Sequence, residues 1–140
     1  MKVINLIRKG NKRAFIHAMI EFYIKHMKLE SSQYSLSVMV KAGQLKETGG
    51  NGVTAHVGKE IVVCFDSKLS INQLMLTVAH EMVHVKQIAK GLLNYQVVGD
   101  TEQVKWRGKD ANDLPYLQRP WELQAFAQQE ILVRTLEECF

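Results

Sequence analysis

Apolar side chains recur at positions 16, 20, 23 and 27, and again at 15, 19 and 22. This three-and-four spacing predicts an amphipathic helix over residues 12–29, with Asn11 as its expected N-cap. From Tyr34 to Val40 the period shortens to that of a strand. After a glycine-rich TGGNG connection at 48–52, the runs VTAHV and EIVVCFD flank Gly58 and Lys59, the pattern of a hairpin. Gly49, Gly50 and Gly52 do not form a phosphate loop, because no Lys-Ser/Thr pair follows at the required offset. A second helix carries signals at both ends: Ser70 and Gln73 form a capping box and Gly91 terminates it. Beyond it, YQVV and TEQVKW around Gly99 and Asp100 predict another hairpin, and Pro120 opens a last helix running to Glu138.

The middle helix has two unlike faces. Ile71, Leu74, Met75, Val78, Met82, Val85 and Ala89 fall within about 60° of one direction on the helical wheel, the face expected to meet the sheet. On the opposite side His80 and His84, one turn apart, share a narrow polar stripe with Gln73, Thr77 and Gln87, while Leu76, Val83 and Ile88 flank it. A helix apolar on two sides with one polar seam predicts the floor of a cleft.

The seam carries HEMVH at 80–84, the HExxH pattern of zinc metallopeptidases. A shuffled chain of this composition yields that pattern about 0.01 times. Imidazoles at i and i+4 can converge on one cation, and Zn²⁺ favours nitrogen ligands. Glu81, about 100° round the wheel from His80, is placed to act as general base on a zinc-activated water without ligating the metal. The alternative is a histidine pair satisfied by hydrogen bonds, with Glu81 as a surface or capping carboxylate. A structural zinc site would need four protein ligands, often Cys, and no Cys lies near the motif in sequence.

A catalytic zinc takes three protein ligands and leaves one position open. No histidine follows His84, so a downstream third ligand is a carboxylate: Asp100, Glu102, Asp110, Asp113, Glu122, Glu130, Glu137 or Glu138. Glu122 is favoured, in the first turn of the last helix after Pro120 and Trp121, although a carboxylate there also complements the helix dipole. His17, His26 and His56 are isolated in the pattern and are not expected to be ligands. A developing oxyanion would need a donor, for which Tyr116 and Arg107 are candidates.

The whole chain of 140 residues is expected to form one domain with its own core, residues 1–140. The charged N-terminus is not a signal peptide and no apolar stretch approaches a membrane span, which points to a cytoplasmic location, that of the host if the protein is phage-encoded. Cys64 and Cys139 read as reduced thiols. The net charge of +4 is not concentrated. Its densest cluster, Arg8, Lys9, Lys12 and Arg13, reads as a solvated helix end rather than a nucleic-acid surface.

HExxH followed by a glutamate on a later helix resembles the gluzincin group of zincin-like metallopeptidases. PWELQAFA is similar to the ExxA stretch that carries the ligand glutamate in several gluzincin families, with Glu122 in the ligand position. The short chain resembles the minigluzincins, and HEMVHVKQ is similar to the motif of small SprT-like proteins of phages and bacteria, whose third-ligand histidine is absent here. The resemblance covers residues 60–91 and 115–127. It departs at Phe126, where many gluzincins carry Asp or Asn, so no hydrogen-bond partner for the imidazoles is assigned. It implies an α+β, zincin-like fold: an N-terminal helix, a small twisted, mainly antiparallel sheet, the active-site helix, and a C-terminal helix with the third ligand. It further implies zinc-dependent peptide hydrolysis, with an extended peptide adding to strand 60–66. Two other functions remain open, a peptide-binding or regulatory module without hydrolysis and a DNA-associated protease of the SprT type.

Overall fold

The computed structural model describes residues 1–8, 10–42 and 50–140. Lys9 and residues 48 and 49 of the glycine-rich connection lie outside them. The chain runs β1 (Lys2–Asn5), α1 (Asn11–His26), β2 (Ser35–Lys41), β3 (Gly52–Val57), β4 (Glu60–Asp66) and α2 (Ile71–Ala89). It continues through β5 (Leu93–Val98), β6 (Thr101–Trp106), β7 (Lys109–Asp110), a 3₁₀ turn (Tyr116–Gln118) and α3 (Pro120–Cys139).

The class is α+β, but the main sheet is not mainly antiparallel. Its order is β1-β2-β4-β3, with β1–β2 and β2–β4 parallel and only β3–β4 antiparallel. The first parallel pair follows from its connection, because α1 carries the chain from the end of β1 back to the start of β2, and the second because β3 reverses the chain between β2 and β4. The second sheet, β5-β6-β7, is antiparallel throughout. Residues 60–66 are therefore an interior strand, paired on both sides, and offer no free edge. The edge is β3.

Gly10, not Asn11, is the N-cap of α1. Its φ of 102° is open to glycine and strained for asparagine, so Asn11 becomes the first helical residue. At the other end Lys28 turns left-handed (φ 58°), and the Leu29 N–H bonds the Ile24 carbonyl at 2.8 Å. This closure ends the helix three residues before the apolar pattern does, while keeping Met27 and Leu29 in the core. The ends of α2 follow the sequence: the Ser70–Gln73 capping box is complete, and Gly91 at φ 77° lets the Leu92 N–H bond the Gln87 carbonyl.

Both α1 and α2 cover one face of the main sheet. Ile16, Ile20 and Tyr23 of α1 pack with Leu36, Val38, Ile61, Val63 and Phe65 of the strands and with Val78, Met82 and Val85 of α2. Against another side of α2 lies α3, through Trp121, Ala125, Leu132 and Leu136. Flanked in this way, α2 is buried from Thr77 to Val85 without interruption. Two residues of the basic N-terminal cluster are tied into this frame: Lys12 Nζ donates to the Ser67 and Leu69 carbonyls and Arg13 Nε to that of Ile7. No helix among the described residues is long and apolar enough to cross a membrane. Cys64 and Cys139 are free thiols.

Candidate metal centre

Because α3 starts at Pro120 and packs along α2, its first turn lies over the polar seam of that helix. Glu122 then faces the two histidines across the helix pair. His80 Nε2 lies 3.1 Å and His84 Nε2 2.5 Å from the same oxygen, Glu122 Oε1. Among the described residues this is the one group of three such side chains whose donor atoms converge, all within 4.8 Å of one another. His80, His84 and Glu122 are each less than one-tenth exposed.

The far side of each ring is held as well. Trp121 O can only accept, so the Gln87 amide turns its Nε2 there, at 3.1 Å, and toward Gln124 Oε1 at 2.8 Å. Gln87 Oε1 is thereby left facing His84 Nδ1 at 2.8 Å, which makes that nitrogen the N–H donor and leaves lone-pair character to Nε2. Gln129 Oε1 does the same for His80 Nδ1 at 2.9 Å. Two lone-pair nitrogens aimed at one carboxylate oxygen repel it unless a proton or a metal cation lies between them. The Nε2, Nε2, carboxylate set suits a divalent transition ion.

Protons feel the same arrangement. Burial works to lower the pKa of both histidines, but the hydrogen bonds to Glu122 and the charge of Glu81 leave both raised. Burial works to raise that of Glu122, but the two imidazoles hold it well below the usual carboxylate range. This pocket favours positive charge opposite Glu122. Glu81 is pushed up, chiefly by burial.

Glu81 stands apart from this group of three. Its carboxylate points toward β3, where Thr54 Oγ1 donates to Glu81 Oε1 at 2.8 Å. Gly52 makes this approach feasible, since a Cβ there would lie 2.8 Å from Thr77 Cγ2 and 3.0 Å from Glu81 Cγ. All four motif residues open onto a cleft of about 710 Å³ between β3, α2, β5 and the start of α3.

Of the two expected oxyanion donors, Tyr116 lines this cleft, its phenol pushed up to about 12 by burial and then by the Glu122 charge. Arg107 does not reach it. With Gly108 it forms the turn between β6 and β7, both residues at positive φ (52° and 80°), and its guanidinium lies over the Trp106 ring. The cation in the cleft wall is Arg119, 5.6 Å from the Tyr116 ring centroid, and Tyr95 lines the wall beside it.

Gln87, Gln129, Thr54, Tyr95 and Arg119 are contributors to which the sequence pattern alone assigns no role. Gln87 stands on the polar seam of α2, and Gln129 lies two turns after Glu122 on the same face of α3. Those spacings were signals that could have found both. Thr54 and Tyr95 left no local signal, because what brings them to the site is the approach of β3 and β5 to α2. Phe126 packs edge-on against His80 at 4.7 Å between centroids, and the polar partner of that ring is Gln129.

No family model, curated protein or solved structure matches this chain. The chemistry of the site rests on its own geometry.

Proposed function

We propose that the protein is a zinc-dependent metallopeptidase of gluzincin type. The observation that carries this reading is the convergence of two imidazoles, each secured from behind, on one carboxylate, with a second carboxylate beside them that is not a ligand. Two histidines and a glutamate form the protein ligand set of known catalytic zinc sites. Bound there, zinc would polarise a scissile carbonyl and bring the pKa of water toward about 7.

The remaining work falls to side chains of this chain. Glu81 takes the proton that the attacking water gives up and passes it to the leaving amine. Tyr116 or Arg119, both in the cleft wall, supplies the donor for the oxyanion in place of Arg107. An extended peptide adds to the edge of β3, not to strand 60–66, because Gly50, Asn51, Gly52, Val53 and Thr54 border the cleft. Further along, β5 closes on β3: the Tyr95 N–H donates to the His56 ring at Nε2, 3.0 Å away.

Cleavage of an unfolded protein by the zinc-loaded chain tests this reading. Reduced, denatured casein should be cut, a chelator should stop the cutting, and added zinc should restore it. If a zinc-saturated preparation cuts nothing across a panel of unfolded proteins, the hydrolytic reading fails and the peptide-binding module takes its place.

A further inference from the structure

We propose that Thr54 is a positioning residue for Glu81, and that the edge strand β3 thereby holds the general base as well as bordering the substrate groove. The inference rests on the peptidase reading for what Glu81 does, and on geometry alone for where Glu81 is held.

Glu81 is buried, with two carboxylate oxygens to satisfy in a cleft wall. Its Oε1 accepts from Thr54 Oγ1 at 2.8 Å, a hydrogen bond of ordinary length across 27 positions of sequence. Two features make this contact specific. Thr54 sits on the inward side of β3, the side it shares with Gly52 and His56, so its hydroxyl is fixed by the strand and not by a mobile loop. Gly52, one inward position earlier, has no Cβ, and this lets the strand come close enough for the hydroxyl to reach.

A carboxylate on an α-helix has several rotamers, and some of them would swing Glu81 toward the imidazoles. A bond from Thr54 selects one in which Glu81 lies beside the ligand set without entering it. Such a base is separated from the metal seat and directed at the groove. Since the groove is the edge of the same strand, a peptide that pairs with β3 and a base held by β3 share one rigid reference.

The test uses the full chain with two substitutions, Thr54→Val, which keeps the β-branched shape and deletes the hydroxyl, and Thr54→Ser, which keeps the hydroxyl. Three quantities are read: bound zinc, kcat and KM on an unfolded protein substrate, and the Glu81 conformation in crystal structures of the variants. Thr54→Val should keep its zinc and its KM, lose about 10- to 100-fold in kcat, the usual scale for removing a supporting hydrogen bond, and show Glu81 in a new rotamer. Thr54→Ser should recover most of the kcat and the original rotamer. Glu81 unmoved in Thr54→Val, an unchanged kcat, or a Ser variant as impaired as Val would overturn the proposal. Should the wild type hydrolyse nothing, the peptidase reading falls, while the Glu81 rotamer in Thr54→Val still decides whether Thr54 holds it.

Discussion

Glu81→Gln is expected to abolish nearly all peptide hydrolysis while leaving the metal and the fold in place. Glutamine has the same shape and can still accept from Thr54, but an amide takes up no proton. The loss should be about 10²-fold or more in kcat, the usual scale for a general base. Stability should not fall. Burial raises the Glu81 pKa, so the ionised carboxylate carries a cost in the folded state at neutral pH that a neutral amide does not. The variant should therefore melt at or above the wild-type temperature and bind the same zinc. Activity within a few-fold of wild type would remove Glu81 from the mechanism, and loss of zinc would mean that it is a ligand.

The second large effect links metal to stability. His80 and Glu122 lie 42 positions apart and on different helices, so one ion held by both bridges α2 and α3 only in the folded chain. A ligand that binds only the native state stabilises it by about 4 kcal/mol at a thousandfold excess over its Kd. For a chain of this size a chelator should then lower Tm by on the order of 10 °C. Glu122→Ala, whose metal seat is broken, should respond far less. The metal-free protein should stay folded, because the α1, sheet and α2 core forms without the ion.

The pH dependence of that shift has a definite sign. In the metal-free protein the two histidines have raised pKa values, so their pairing with Glu122 stabilises the fold fully below the unfolded histidine value of about 6.5. It fades as pH rises through the raised folded values. Protons and metal compete for the same nitrogens, so the chelator effect should grow from pH 6 to pH 8. A chelator that removes zinc and leaves Tm unchanged would show that the helices are not bridged, and outright unfolding would make the metal structural.

How much of this was legible in the chain depended on whether the information was local. The boundaries of α2 were, since capping box and terminal glycine lie within a few residues of the turns they control. So was the placing of Glu122 among eight carboxylates, because Pro120 marks a first helical turn and the adjacent apolar residues pack it inward. β1 was not: four residues, Lys2–Asn5, are too few for alternation to stand out. Parallel pairing was hidden too, because it depends on where α1 delivers β2 and on β4 seating itself between β2 and β3, and not on the strands themselves. Only the resemblance makes strand 60–66 an edge; in the fold β2 pairs with it on one side and β3 on the other. Arg107 and Arg119 look alike in sequence, each a cation near aromatic residues. Positive φ at a two-residue turn carries the first away from the cleft, and the helix start keeps the second in its wall.

Bound zinc underlies the hydrolytic and metal-linked outcomes alike, and elemental analysis of the purified protein beside His80→Ala tests it most directly. About one zinc per wild-type chain is expected, with little or none in His80→Ala after the same dialysis. Wild-type protein without zinc after purification in its presence, or a His80→Ala variant that holds as much as the wild type, would contradict the account.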